Sequence, residues 1–224
     1  VTVKYFVGDV REVLASLPEA SVDLVLTSPP FLALRSYLKD DDPMKHLEIG
    51  SESTPGEFVD TLLDVVEATA RVLAPHGSMC IELGDSFGGS GGAGSDYNEG
   101  GLREGQPKFR ANRGGIGGRA SYVENATGGH HNGGDGWPLG RSLCLVPEIF
   151  RFSLVYGFNP LTGRETSRWR ARNVIRWCRN NPAVGALSDK FRPATSDIVV
   201  VCKDRRWFDL DAVRNGDLRE PSSQ

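Results

Sequence analysis

The stretch Ser21-Val22-Asp23-Leu24-Val25-Leu26-Thr27-Ser28-Pro29-Pro30-Phe31 decides how this chain is read. Its first half, Val22 to Leu26, is a short run rich in Val and Leu, the pattern of a buried strand in a parallel sheet. Its second half turns polar, then diproline, then aromatic. Consecutive prolines lack two N–H donors and restrict φ, so they leave carbonyl oxygens without competing local partners on a rigid, extended course. A buried strand ending in such a corner places oxygen atoms at the tip of a sheet, where open α/β sheets bind their ligands.

Periodicity extends this reading in both directions. Upstream, Val3 to Val7 reads as a strand closed by Gly8-Asp9, and Val10, Val13, Leu14 and Leu17 recur at helical spacing until Pro18. Downstream, an amphipathic helix is predicted from Thr54 to about Leu73. Thr54 caps it ahead of Pro55, and Phe58, Leu62, Val65, Val66, Thr69 and Val72 form one stripe. Met79 to Leu83 reads as a buried strand ending at Gly84-Asp85. Leu143 to Tyr156 returns to helical spacing with Leu145, Ile149, Phe152 and Val155 on one side. Ala171–Arg179 and Ser196–Cys202 read as strands, and Trp207-Phe208 as a short one. Strands alternating with helices predict one α/β domain over residues 1–224 with a mostly parallel sheet. The segment at about 84–140 holds most of the 27 glycines and few large apolar residues, so it is expected to be a long mobile loop inserted in that domain.

Composition narrows the possible functions. A net charge of −3 supplies no domain-wide basic footprint, so any nucleic-acid contact must be local. Two stretches offer one: Arg103, Lys108, Arg110, Arg113 and Arg119, and Arg164, Arg168, Arg170, Arg172, Arg176 and Arg179, each of which also suits a solvated charged face. Cys80, Cys144, Cys178 and Cys202 are scattered and no His stands at ligand spacing. His130-His131 reads as a loop pair, so no metal is expected. No apolar run approaches the roughly 20 residues of a membrane span. A cytoplasmic protein with reduced thiols is the expectation.

A primary amino group on a nucleobase is a poor nucleophile because its lone pair is delocalised into the ring. Acceptors that take hydrogen bonds from the amino hydrogens draw the nitrogen towards a tetrahedral shape and free that pair for attack. The Ser28 hydroxyl and Pro29 carbonyl are acceptors of this kind, Pro30 stiffens the corner, and Phe31 offers a face to a base turned out of its stack.

At these residues the chain resembles the β-type amino-methyltransferases of DNA, whose motif at this place is (Asp/Asn/Ser)-Pro-Pro-(Tyr/Phe). Further blocks look similar in order: Gly8-Asp9, Arg71 to Ser78, Leu83-Gly84-Asp85, Leu143 to Glu148, Arg172 to Trp177 with Asn181-Pro182, Lys190 to Pro193, and Phe208 to Arg214. The resemblance implies a Rossmann-like methyltransferase sheet with flanking helices, S-adenosyl-L-methionine as cofactor, double-stranded DNA as partner and a setting such as restriction-modification. It implies Ser28, Pro29, Pro30 and Phe31 as catalytic residues, Asp9 and Thr27 as cofactor contacts, and Trp177 and Asp85 beside the target base. Ser at the first motif position is typical of enzymes acting on cytosine N4, with adenine N6 the alternative. The family's Phe-x-Gly-x-Gly cofactor segment has no counterpart here, and Gly89-Ser90-Gly91-Gly92 opens no apolar helix. The expectation is therefore a catalytic half whose cofactor segment lies in a second chain or a missing C-terminal part. A catalytically silent DNA-binding module is the rival.

Overall fold

The computed structural model describes residues 2–33, 37–38, 41–88, 135–180, 191 and 193–214. Four strands form one sheet in the order β1-β2-β4-β3: β1 Val22–Thr27, β2 Leu73–Leu83, β3 Arg170–Cys178 and β4 Thr195–Cys202. β1 pairs with β2 in parallel, whereas β4 is antiparallel to both β2 and β3. Three strands thus run one way, and β4 is threaded between two of them in the opposite sense. Only one of the three strand pairings is parallel, a departure from the mostly parallel sheet read from the sequence. The hydrophobic pattern of a buried strand carries no information about its direction. The consequence is functional: the C-terminal ends of β1, β2 and β3 meet the N-terminal end of β4 along one rim.

Helices α1 Val10–Ser16, α2 Pro55–Val72, α3 Val146–Tyr156 and α4 Leu210–Arg214, with a 3-10 turn at Lys45–Leu47, complete the regular elements among the described residues. α2 begins as its sequence dictates, with Thr54 Oγ1 accepting from Glu57 N at 3.2 Å and Pro55 in the first turn. Its stripe of Phe58, Val59, Leu62, Leu63 and Val66 packs on Met79, Ile81 and Leu83 of β2 and Val199 and Val201 of β4 to make the core. α2 runs directly into β2, which starts earlier than Met79. Val22 faces Leu73 while Leu24 faces Ser78, so residues 74–77 bulge out where Pro75 lacks a donor and Gly77 lies against Leu73. Arg71 anchors α1 by donating to the carbonyls of Leu14, Ala15 and Leu17.

Several sequence expectations are corrected. Residues 2–7 form no strand. Tyr5 is 89% and Val7 100% exposed, with no neighbour pairing their backbone among the described residues, and β propensity without a partner does not make a strand. Trp207-Phe208 is irregular, and helix α4 follows it. β1 is covered on one side only: Leu24 and Leu26 are exposed, so its apolar run does not mark burial on both faces. The inward stripe of α3 is Val146, Phe150, Ser153 and Leu154, one position out of phase with the predicted one. Phe152 instead sits outside, stacked on Tyr156 with ring centroids 4.5 Å apart.

Most of the glycine-rich segment, with Gly89 to Gly92, the first arginine cluster and His130-His131, lies outside the described residues, as do Asn181-Pro182, Lys190 and Arg192. The ends of that segment are held together, with Phe87 bridging Leu143 and Gly88 N donating to Ser142 O at 2.8 Å. Among the described residues no helix is long and apolar enough to cross a membrane.

Candidate active site

Ser28 leaves the tip of β1 with its side chain exposed, not packed into the core. Among the described residues, no backbone donor takes the carbonyl of Pro29 or Pro30, as expected where two successive residues lack N–H groups. The corner is fixed from below. Ser86 Oγ donates to Leu32 O at 2.8 Å, and Ala33 N donates to Gly50 O at 2.8 Å. Gly50 has φ +95°, and a Cβ there would meet the Phe31 carbonyl at 2.9 Å, so this position requires glycine for both conformation and space. The half-buried Phe31 ring lies on Gly84, where a Cβ would come within 2.7 Å of Cε2. The ring is therefore packed against bare backbone.

A cavity of about 270 Å³ opens beside this corner. Thr27, Ser28, Pro29 and Pro30 form its polar lip, while Val10 and Leu14 of α1, Val65 and Val66 of α2 and Met79 and Ile81 of β2 make an aliphatic wall. A group entering here meets oxygen acceptors at the lip, and Thr69 adds a hydroxyl to the wall.

Ser28 follows Thr27, which pairs with Ile81, so it stands beside Glu82, one residue before the end of β2. Glu82 is 8% exposed and belongs to a network: Ser196 Oγ donates to its Oε1 at 2.6 Å, and Arg179 Nη2 donates to the same oxygen at 2.9 Å. Burial pushes its carboxyl up, but the hydrogen bonds from Ser196 and Arg179, the neighbouring Ser28 hydroxyl and the arginine's charge outweigh it and hold the pKa below the usual range. Trp177 stands opposite Ser196 across β3 and β4, half-exposed, with the Arg179 guanidinium 5.5 Å from its ring centroid. One rim thus collects an exposed hydroxyl, a buried carboxylate, an arginine and an aromatic.

Asp85, three residues beyond Glu82, faces elsewhere. Its oxygens accept from Ser86 N, Leu145 N and Val146 N at 2.9–3.0 Å, so it caps α3, whose own flanking residue Leu145 has no capping side chain. Asp9 caps α1 and receives the Arg11 guanidinium at 2.6 and 2.9 Å, which, with its backbone bonds, lowers its pKa to about 2 against the raising effect of burial. Thr27 is exposed at the end of β1. The second arginine cluster is largely spent on structure. Arg164 pairs with Asp64, Arg168 with the Tyr156 carbonyl, Arg170 with Asp204, Arg176 with Asp197 and Arg179 with Glu82, leaving Arg172 without such a contact among those described.

A family model described as DNA methylase matches residues 22–222. The chain belongs to this DNA methylase family. The type II methyltransferase M.SfiI of Streptomyces fimbriatus is 26% identical over 93% of the chain and 38% of its own length. M.Cfr9I of Citrobacter freundii is 36% identical over 37% of the chain and 25% of its own length. The PvuII DNA methyltransferase, described as cytosine-N4-specific, superposes with a TM-score of 0.51 at 16% identity, over 93% of this chain and 52% of that one, and so shares its fold. The chain spans well under half the length of these curated relatives.

Sequence reasoning about this DNA methylase missed Glu82 and Ser196 as site residues, and read Arg179 only as one of an arginine cluster. One signal was available for Glu82: a carboxylate inside the apolar run Met79 to Leu83 is too costly to bury unless it is partnered. Its partners are 97 and 114 residues away in sequence, and nothing local names them. The residues described do not by themselves make a cofactor pocket for S-adenosyl-L-methionine. Asp9 is engaged by Arg11, and Thr27 is a single hydroxyl.

Proposed function

We propose that this chain is the catalytic half of a DNA amino-methyltransferase that carries a methyl group from S-adenosyl-L-methionine to the exocyclic amine of an extruded base, with cytosine N4 the favoured target. The observation that carries this reading is the diproline corner at the tip of β1, where the exposed Ser28 stands next in register to the buried Glu82 carboxylate. A serine hydroxyl has one proton and two lone pairs. When its proton points to a carboxylate, the lone pairs are left for an incoming N–H. Ser28 Oγ then accepts one amino hydrogen and the Pro29 carbonyl accepts the other, while Phe31, seated on Gly84, gives the base a flat neighbour.

The bound cofactor would supply an electrophilic methyl group, and the protein's part is to prepare the nucleophile. As nitrogen acquires the methyl it must release one proton. Ser28 Oγ can take that proton while passing its own to Glu82, and the transfer is downhill because the exocyclic amine of a nucleobase, its lone pair otherwise delocalised into an electron-poor ring, is far more acidic than a carboxylic acid once methylated and positively charged. Glu82 later loses the proton to solvent. No cysteine is needed: burial pushes the Cys144 thiol up to about 11, away from the reactive thiolate.

Asp9 and Thr27 are assigned to the cofactor side, Trp177 to the rim that the base enters, and Asp85 to shaping the cleft through its hold on α3. The cofactor's glycine segment is assigned to further polypeptide, in the same or a second chain. Leu24 and Leu26, exposed on edge strand β1, are the surface against which it would pack. The rival, a silent DNA-binding module, draws support from the engagement of Asp9 by Arg11. Radiolabelled S-adenosyl-L-methionine with mixed DNA, with and without the polypeptide supplying that segment, separates the two when methyl groups on cytosine and adenine are counted. Ser28→Ala is expected to lower transfer by about 10²–10³-fold with the fold intact. Wild-type transfer in this variant removes the mechanism, and no label under any condition favours the silent module.

A further inference from the structure

The position of Arg179 is over-determined. Its backbone N–H donates to Ala194 O at 2.7 Å, extending the β3–β4 ladder by one step. Its Nη2 donates to both Glu82 Oε1 and Ser196 Oγ, at 2.9 and 3.0 Å, and its guanidinium lies over Trp177. The arginine side chain therefore links three strands and ends on Glu82, the β2 residue next in register to Ser28. An exposed arginine needs no such arrangement to be soluble, and a planar cation held at its backbone, head and face is preorganised for one geometry.

We propose that Arg179 is a positioning residue for methyl transfer: by pinning the Glu82 carboxylate against Ser28, it dictates that the Ser28 proton points inward and its lone pairs outward. This inference rests on the reading of Ser28 given above. Its logic is a choice between two hydrogen-bond polarities. With Glu82 charged, Ser28 donates to it and can accept from an amine. With Glu82 protonated, the carboxylic acid donates to Ser28, whose own proton then turns towards the substrate, and two donors face each other. Burial at 8% exposure favours the protonated form, and Arg179 is the cation that opposes it. The groups facing Glu82 from neighbouring elements are Ser28 from β1, Ser196 from β4 and Arg179 from beyond β3. Of the other charges at this end of the sheet, Asp85 is held by the start of α3, and Asp197 is paired on the opposite face with Arg151 and Arg176.

The test reads the Glu82 carboxyl directly by NMR titration of the chain labelled with ¹³C-glutamate, in the wild type, Arg179→Met and Arg179→Lys, beside the pH profile of methyl transfer. Arg179→Met is expected to raise the Glu82 titration by about one pH unit or more. The acid limb of the transfer rate should move up with it, while Arg179→Lys, which keeps the charge, stays near the wild type in titration. If the methionine variant does not fold, Arg179→Gln removes the same charge with a polar side chain of smaller volume and is read in the same way. An unmoved Glu82 titration in the neutral variant overturns the proposal, as does a rate reduced equally at every pH. The titration needs neither cofactor nor DNA, so an absence of transfer in all proteins, wild type included, would count against the proposed function and leave this inference to be decided by Glu82 alone.

Discussion

The two faces of the sheet are built on opposite terms. On one, Met79, Ile81, Leu83, Val199 and Val201 meet the stripes of α2 and α3, and Phe58 and Leu63 are fully buried. On the other, Leu24 and Leu26 of β1 and Ile175 and Trp177 of β3 stand half or more exposed around the polar cluster of Glu82 and Ser196. The first face holds the fold together by close packing. The second keeps a charged network at the rim and leaves apolar area for something else to cover. A strand serves both because successive side chains alternate, so Ile81 and Leu83 enter the core while Glu82 between them faces the open side.

The contrast between the faces has measurable consequences, the largest in the core. Phe58→Ala should cost about 3–5 kcal/mol in denaturant unfolding, whereas Leu26→Ser on the open face should stay within about 0.5 kcal/mol for the chain alone. Equal losses at the two positions would mean that the second face is covered after all. In the presence of the polypeptide carrying the cofactor segment, Leu26→Ser should weaken association, which titration calorimetry would detect.

Gly84→Ala probes the place where the two regions touch, because the added methyl must displace the Phe31 ring. Overpacking of this kind is expected to cost about 1–3 kcal/mol and to reduce methyl transfer more than it reduces stability. A variant with unchanged kcat/KM would show that the ring's seat does not matter. A smaller effect is expected for Asp85→Ala, which strips the cap from α3 and should lower stability by about 1–2 kcal/mol, seen as a reduced unfolding midpoint. If the loss were confined to activity, Asp85 would belong with Glu82 and not with the helix.

The smallest expected effect is electrostatic. Arg11 holds the Asp9 carboxyl at about 2, below its ordinary 3.8. Such a depressed group contributes stability that is fully present above pH 3.8 and lost as pH falls through about 2. Asp9→Asn keeps a capping oxygen but no titrating group, so its melting temperature should decline less steeply than the wild type's across that window. Parallel curves would detach Asp9 from acid unfolding.

Much of this molecule was legible in local pattern. The start of α2 at Thr54-Pro55, the burial of Phe58 and Leu62, and the polar corner at the end of β1 each follow from residues within a few positions of one another. The failures share one cause. Val3 to Val7 has strand composition but no partner among the described residues, α3 buries Val146 and Phe150 while the expected Leu145 and Val155 stay exposed, and β4 runs against its neighbours. In each case the answer depends on which surface lies opposite, and that surface comes from distant chain.

The same division applies to the chemistry. The diproline corner needs no tertiary context to be rigid or to lack N–H donors, because ring closure fixes both within the tetrapeptide Ser28-Pro29-Pro30-Phe31. The direction of the Ser28 proton is another matter. It depends on a carboxylate from β2 held by an arginine beyond β3 and a serine on β4, and only the folding of those strands onto one rim brings a buried charge and its counter-charge together beside the hydroxyl.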